Sequence, residues 1–132
     1  VVPSPSCSAE DAQTLLDVYR DAAGAWERVV GRGLLAVRAS RGDVPEGAGG
    51  VIEVAFGEWN RKNGYTRPVV RQNRWPFERC GAKIYLRKRP PDEVAPRTVY
   101  EAMVATACHE LGHALGLPHH PDQGELMYFL GA

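Results

Sequence analysis

The segment that decides how this chain is interpreted is His109–His119, which reads HELGHALGLPH. His109 and His113 are four residues apart, so on an α-helix both imidazoles project from one face and can reach one metal ion. Gly116 adopts positive φ at little cost and Pro118 cannot continue a helix, so we expect the helix to end there. The chain then turns back and brings His119 to the same point as a third ligand.

Three protein ligands leave the fourth position of a tetrahedral zinc ion open for water, as catalytic zinc sites require. Glu110 follows the first ligand and can stand beside the metal without binding it. The alternative is that these are ordinary surface or core histidines. It is disfavoured because the chain has four histidines and all lie between positions 109 and 120. His120 is one residue out of phase with the others, and we expect it to face solvent.

The spacing HExxHxxGxxH resembles the zinc-binding motif of the metzincins, a clan of zinc endopeptidases. The segment Gly124–Tyr128 resembles their Met-turn, and its Leu-Met-Tyr is similar to that of the matrixins. The resemblance implies that Met127 forms an apolar floor under the zinc site without binding the metal. Astacins and serralysins place a zinc-binding tyrosine two residues after this methionine. Phe129 occupies that position here, so we expect no tyrosine ligand.

The composition is that of one domain with a genuine core, and no apolar run approaches the length that crosses a membrane. The chain starts at Val1 without a methionine, so we expect a secreted protein processed from a longer precursor. Its three cysteines then allow one disulfide and one free thiol. Cys108 directly precedes a zinc ligand and is expected to be a small buried residue, which leaves Cys7 and Cys80 as the expected pair.

The net charge of zero hides a basic segment. Between Arg61 and Arg89 there are ten Lys or Arg residues and one acid, Glu78. Such a segment could indicate nucleic acid, but no nucleic-acid motif accompanies it and a solvated surface is the simpler interpretation. We therefore expect no nucleic-acid partner and no membrane partner. The metzincin resemblance implies a polypeptide substrate, and we expect a monomer.

Periodicity and cap signals predict two helices. Ser8 is the N-cap of the first helix, which stops at Gly31. Its apolar positions recur at helical spacing: Leu15, Tyr19, Ala22, Trp26 and Val30. Thr98–Glu101 is a capping box that opens the second helix, which ends near Gly116. Four strands are predicted: Leu34–Val37, Val51–Phe56, a strand near Pro68–Arg71, and Lys83–Leu86.

This order of elements resembles the metzincin catalytic domain. The resemblance implies an α+β fold with a twisted, mainly parallel sheet, an antiparallel edge strand, a backing helix and an active-site helix. Residues 1–132 would form a single metalloprotease domain. Matrixins continue past the Met-turn into a C-terminal helix, whereas this chain stops at Ala132, as a trimmed or a reduced variant would. Matrixins also hold a structural zinc and calcium in a loop that here, between Gly57 and Gly81, has neither His nor Asp, so we expect one zinc.

The resemblance also assigns substrate contacts. Ala105, four residues before His109, would border the bottom of the pocket that receives the residue after the cut. A small residue there implies a deep pocket for long or aromatic apolar side chains. The strand before the active-site helix would form the upper rim of the cleft, to which the peptide adds as an antiparallel strand. The rim residues would be Lys83, Ile84, Tyr85 and Leu86.

These residues predict a zinc-dependent endopeptidase. Zinc lowers the pKa of its bound water to about 7, and Glu110 takes a proton from that water and passes it to the leaving amine. Two alternatives stay open. The same site could hydrolyse a non-protein amide, or the protein could be a catalytically idle, zinc-bound binding module. The intact Glu110 argues against the second, because a scaffold has no use for a base.

Overall fold

The computed structural model describes residues 1–31, 33–44, 50–57, 63–71, 78–88, 96–119 and 127. The described elements are strand β1 (Val2–Pro3), helix α1 (Ala9–Val30), a 3₁₀ turn (Arg41–Asp43), strands β2 (Val51–Phe56), β3 (Gly64–Arg71) and β4 (Glu78–Leu86), and helix α2 (Pro96–Ala114). The predicted α+β class is confirmed. No helix in this part of the chain combines the length and the apolar character that a membrane span requires.

The four strands form one sheet in the order β1-β2-β4-β3. β1, β2 and β4 run parallel, and β3 runs antiparallel to β4 at the end of the sheet. The predicted parallel sheet with an antiparallel edge strand is therefore confirmed. β3 and β4 are longer than predicted, since they begin at Gly64 and Glu78. Pro68 lies inside β3, which is compatible with its missing N–H because β3 is an edge strand.

Both helices pack on the same face of the sheet. The register places Val54 beside Ile84, and both side chains are buried with those of their inward-facing neighbours. The opposite face carries charged and aromatic groups such as Lys83 and Tyr85. The core joins the two helices to the sheet through Leu15, Val18, Tyr19, Ala22, Ile52, Val54, Ala82, Ile84, Leu86, Ala107, Cys108 and Leu111.

Helix α1 begins and ends where the sequence predicts. The Ser8 hydroxyl accepts a hydrogen bond from the Asp11 amide at 3.1 Å, and Gly31 caps the last turn. Tyr19 is fully buried, but Val30 is 59% exposed. Val30 continues the helical spacing of apolar residues but is not buried, because the packed surface of α1 ends one turn earlier, at Trp26.

The predicted strand Leu34–Val37 is not formed. The chain there is extended and makes two backbone hydrogen bonds with the first residue: the Val1 ammonium donates to Ala36 O at 2.6 Å, and the Arg38 amide donates to Val1 O at 2.8 Å. The strand that pairs with β2 on this side is β1, a two-residue strand. Periodicity cannot reveal a strand that short.

Helix α2 starts at Pro96, two residues before Thr98. The prediction that the capping box opens this helix is therefore wrong, because Thr98 lies within its first turn. Proline suits the first position of a helix, since its φ is already helical and an N–H there has no partner within the helix.

The predicted disulfide is not formed, because Cys7 and Cys108 are free thiols. The sheet register explains why. Gly81, the residue after Cys80, pairs with Val51 at the start of β2, whereas Cys7 lies against the backbone of Phe56 at its end. At 3.3 Å per residue these points are roughly 16 Å apart, and disulfide Cα atoms lie within about 7 Å of each other. Cys108 is buried, as predicted.

Candidate metal centre

The structure brings His109, His113 and His119 together. The ring centroids of His109 and His113 are 4.8 Å apart, and those of His113 and His119 are 4.6 Å apart. One ring nitrogen from each histidine lies within 4.8 Å of the other two. The three differ in burial: His109 is buried, His113 is intermediate and His119 is exposed. The cluster is therefore anchored in the core on one side and open on the other.

The end of helix α2 delivers the third histidine. Gly116 has φ 99°, and its N–H donates to His113 O at 2.9 Å. The Leu117 N–H donates to Gly112 O at 2.9 Å, which completes the paired bonds of a Schellman motif. The predicted role of Gly116 as the helix stop is thus confirmed, and the reversal that it allows directs His119 toward the helical pair.

The donor set fits a zinc ion. Nitrogen ligands at about 2.0–2.1 Å from a tetrahedral zinc lie about 3.3 Å from one another, and Nε2 of His109 lies 3.1 Å from Nε2 of His113. The Nδ1 atom of His113 lies 2.8 Å from Leu117 O. When Nδ1 carries the hydrogen, it donates to this carbonyl and leaves the Nε2 lone pair for a metal.

Glu110 is 2% exposed and lies under strand β3. Its Oε2 accepts a hydrogen bond from the hydroxyl of Thr66 at 2.5 Å, and its main-chain oxygen lies 3.1 Å from the same hydroxyl. A buried carboxylate is costly unless hydrogen bonds compensate it. Thr66 is therefore part of the environment of Glu110. The sequence analysis missed it, because 44 residues separate the two positions and no local pattern connects them.

Met127 is 7% exposed, which agrees with its predicted packing role. A Cβ atom built on Gly112, between the two helical histidines, would overlap the Met127 sulfur and lie 3.1 Å from Trp26 Cζ2. Trp26 also donates from Nε1 to Cys108 O at 2.8 Å. Trp26 of helix α1 and Met127 thus pack closely against α2 at the position of the two helical histidines. This role of Trp26 could not be predicted from the sequence, since helical spacing marks it only as a core residue.

The prediction that Lys83, Ile84, Tyr85 and Leu86 form the upper rim is wrong. β4 lies inside the sheet, and these residues pair with β2 on one side and β3 on the other. The backbone groups of an interior strand are already used by its neighbours, so no peptide can add there. In the described sheet, β3 is the edge strand on the side of α2.

Ala105 is exposed and lies one helical turn before His109, on the same side of α2. Its place in a specificity pocket stays a prediction. The basic segment is only partly described. Lys83 and Arg67 are exposed neighbours on the outer face of the sheet. Lys88 binds Asp11 at 2.7 Å, so this cation is paired with helix α1. The side chains of Arg79 and Arg89 lie outside the described residues.

The hydroxyl of Tyr19 is buried in the core, close enough to Glu110 and Cys108 for their charges to affect it. The residue is 0% exposed, and its hydroxyl has no hydrogen-bond partner among the described residues. Burial raises the pKa of Tyr19 well above its usual value of 10.0, and the nearby charges of Glu110 and Cys108 act in the same direction. Tyr19 therefore stays neutral.

Three histidines gathered at the end of a helix that packs on a mainly parallel sheet are the arrangement expected of a zinc metallopeptidase. The family model of the matrixins matches residues 12–131, and the chain belongs to this family. No curated protein and no solved structure matches the chain.

Proposed function

We propose that this protein is an endopeptidase with one catalytic zinc, held by His109, His113 and His119, and that Glu110 is its general base. The observation that carries the proposal is the convergence of three imidazoles at the C-terminal end of α2, with the buried carboxylate of Glu110 next to His109 in the same helix. Structural zinc sites use four protein ligands, whereas three leave a position for water or substrate.

A bound zinc supplies a lowered pKa for water and polarises the scissile carbonyl. The protein's own groups do the rest. Glu110 accepts a proton from the attacking water and returns it to the leaving amine. The hydrogen bond from His113 to Leu117 O fixes the ring orientation and presents Nε2.

The substrate would bind along β3, because this strand has an open edge beside α2 within the described residues. A peptide adds to such an edge through main-chain hydrogen bonds, so its own sequence contributes little to this contact. Sequence preference would then come from side-chain pockets. Ala105 is exposed one turn before His109, and a small residue there leaves room for a long or aromatic apolar side chain after the cut.

The proposal is tested with a denatured protein substrate and with a peptide library analysed by mass spectrometry. We expect internal cleavage that a chelator stops and zinc restores, with long or aromatic apolar residues after the cut. Glu110→Gln should keep its zinc and lose activity by about 100-fold or more. Cleavage of small non-peptide amides, without cleavage of any peptide, would favour hydrolysis of a non-protein amide as the function. Zinc binding without any hydrolysis would favour the binding module.

A further inference from the structure

Thr66 joins the open edge of the sheet to Glu110. Its side chain lies on the inner face of β3, since it pairs with Ile84, which is fully buried. Its Oγ1 is 2.5 Å from Glu110 Oε2 and 3.1 Å from Glu110 O. A hydroxyl has one hydrogen to donate, and the shorter contact, to a charged acceptor, is the stronger of the two. The hydrogen is therefore directed to the carboxylate.

The backbone of Thr66 points the other way. The Arg87 N–H donates to Asn63 O at 2.8 Å, so these two residues form a hydrogen-bonded pair of the antiparallel ladder. Such pairs alternate with non-hydrogen-bonded ones. Three residues further along β3, Thr66 falls in a non-hydrogen-bonded pair, so its N–H and C=O face the open edge. The register shift in β3 comes later, between Val69 and Val70.

Strand β3 and helix α2 approach each other closely at this point. A Cβ atom on Gly64 would lie 2.9 Å from Thr106 Cγ2 and 3.2 Å from Glu110 Cγ. Interiors packed this tightly transmit small displacements. The position of β3 and the position of the Glu110 carboxylate are therefore not independent.

We propose that Thr66 is a positioning residue for Glu110, an inference that rests on the general-base role proposed above. The Thr66 hydroxyl holds Oε2 and leaves Oε1 free to accept a proton. The main chain of the same residue faces the edge to which a peptide adds. Thr66 thus fixes the position of the Glu110 carboxylate relative to the bound peptide. Catalytic groups need placement within about 0.5 Å, and a displacement of 1 Å can cost about 100-fold in rate.

The test compares Thr66→Val with Thr66→Ser. Valine keeps the β-branched shape and removes the hydroxyl, whereas serine keeps the hydroxyl. We expect Thr66→Val to lower kcat by about tenfold or more with KM within about twofold, because Glu110 is misplaced while the edge backbone is intact. Thr66→Ser should stay within about threefold of the unmodified protein. An unchanged kcat in Thr66→Val, or a change in KM alone, would overturn the proposal.

Thr106→Val is the matched control. Thr106 is buried on the same side of α2, but its hydroxyl bonds Ala102 O at 3.0 Å within its own helix. The substitution is chemically identical and touches the same contact between β3 and α2. We expect kcat to be unchanged. A loss as large as that in Thr66→Val would mean that packing, and not the hydrogen bond to Glu110, is responsible.

A second measurement uses the zinc-free protein and needs no activity. Urea unfolding of Thr66→Val, Glu110→Ala and the double variant forms a cycle for the hydrogen bond. We expect non-additive losses, and additive losses would overturn the proposal. The two proposals also fail separately. Normal turnover in Glu110→Gln would refute the general-base role, whereas an inactive Glu110→Gln with a fully active Thr66→Val would refute only the role of Thr66.

Discussion

Gly112 sits between the two helical histidines, where α2 meets both Met127 and Trp26. An alanine favours a helix by about 1 kcal/mol over glycine, but its Cβ would overlap the Met127 sulfur. Overpacking a core costs about 1–3 kcal/mol, so we expect Gly112→Ala to lower the free energy of unfolding. Gly24→Ala in α1 is the control, since only Arg28 Nη1 lies near its Cβ, at 3.9 Å. Urea unfolding should show opposite signs, and a stabilised Gly112→Ala would contradict the close packing.

The hydroxyls of Tyr19 and Tyr100 differ in one respect that stability measurements can detect. That of Tyr19 is buried without a partner among the described residues, whereas that of Tyr100 donates to Asp21 Oδ2 at 2.5 Å. An unsatisfied buried polar group costs about 1–3 kcal/mol. Tyr19→Phe should therefore raise the free energy of unfolding by about 1 kcal/mol, while Tyr100→Phe should lower it. A large loss in Tyr19→Phe would reveal a partner for this hydroxyl.

Which site residues could be predicted from the sequence depends on how far apart they lie along the chain. The three histidines and Gly116 lie within eleven residues, so helix geometry and one turn suffice to bring them together. Thr66 is 44 residues from Glu110, and its contact depends on strand pairing. No spacing rule connects a strand residue to a helix residue, which is why the partner of Glu110 could not be found from the sequence.

Between elements, the bond from Tyr100 on α2 to Asp21 on α1 makes stability depend on pH. Burial, and then the hydrogen bond to Asp21, raise the pKa of Tyr100 from 10.0 to about 12. The unfolded chain therefore loses this proton at lower pH than the folded protein does. The stabilisation is fully present below pH 10 and is lost as the pH rises to about 12.

Unfolding between pH 9 and 12 tests this link between the helices. Tyr100→Phe should lose less stability over that range than the unmodified protein. Asp21→Asn should lose an intermediate amount, because it removes the acceptor charge while burial, the larger cause of the raised pKa, remains. Tyr19 and Cys108 also have raised pKa values, so some loss will persist in both variants. Identical pH profiles for the unmodified protein and Asp21→Asn would show that the Tyr100–Asp21 bond does not form in solution.

Three of the four strands in the sheet, β2, β3 and β4, were predicted by position, but their order was not. Periodicity identifies a strand such as Val51–Phe56, yet says nothing about which strand lies beside it. The sequence placed the rim at Lys83–Leu86 because that strand precedes the active-site helix. In the fold, β3 comes earlier in the chain and takes the edge, leaving β4 inside. Strand order depends on long-range pairing, which short patterns do not encode.

For the whole molecule, zinc binding at the histidine cluster should raise the free energy of unfolding. Two of the proposed ligands lie on a helix that packs against the sheet and α1, and the third follows its last turn. Unfolding separates them, so the ion binds the folded state in preference. A ligand at 1,000 times its Kd adds about 4 kcal/mol, and for a domain of this size that raises Tm by about 10 °C or more.

Thermal unfolding with zinc and with chelator measures this shift, and His119→Ala is the matched variant. His119 is exposed, so its loss should change the zinc-free protein by at most about 0.5 kcal/mol. It should nevertheless remove most of the zinc-dependent rise in Tm, because two histidines cannot hold the ion as tightly as three. An equal rise in both proteins would mean that the stabilising ion binds elsewhere. A rise in the unmodified protein that is absent in His119→Ala would show that the turn at Gly116 brings a ligand to the ion in the folded state.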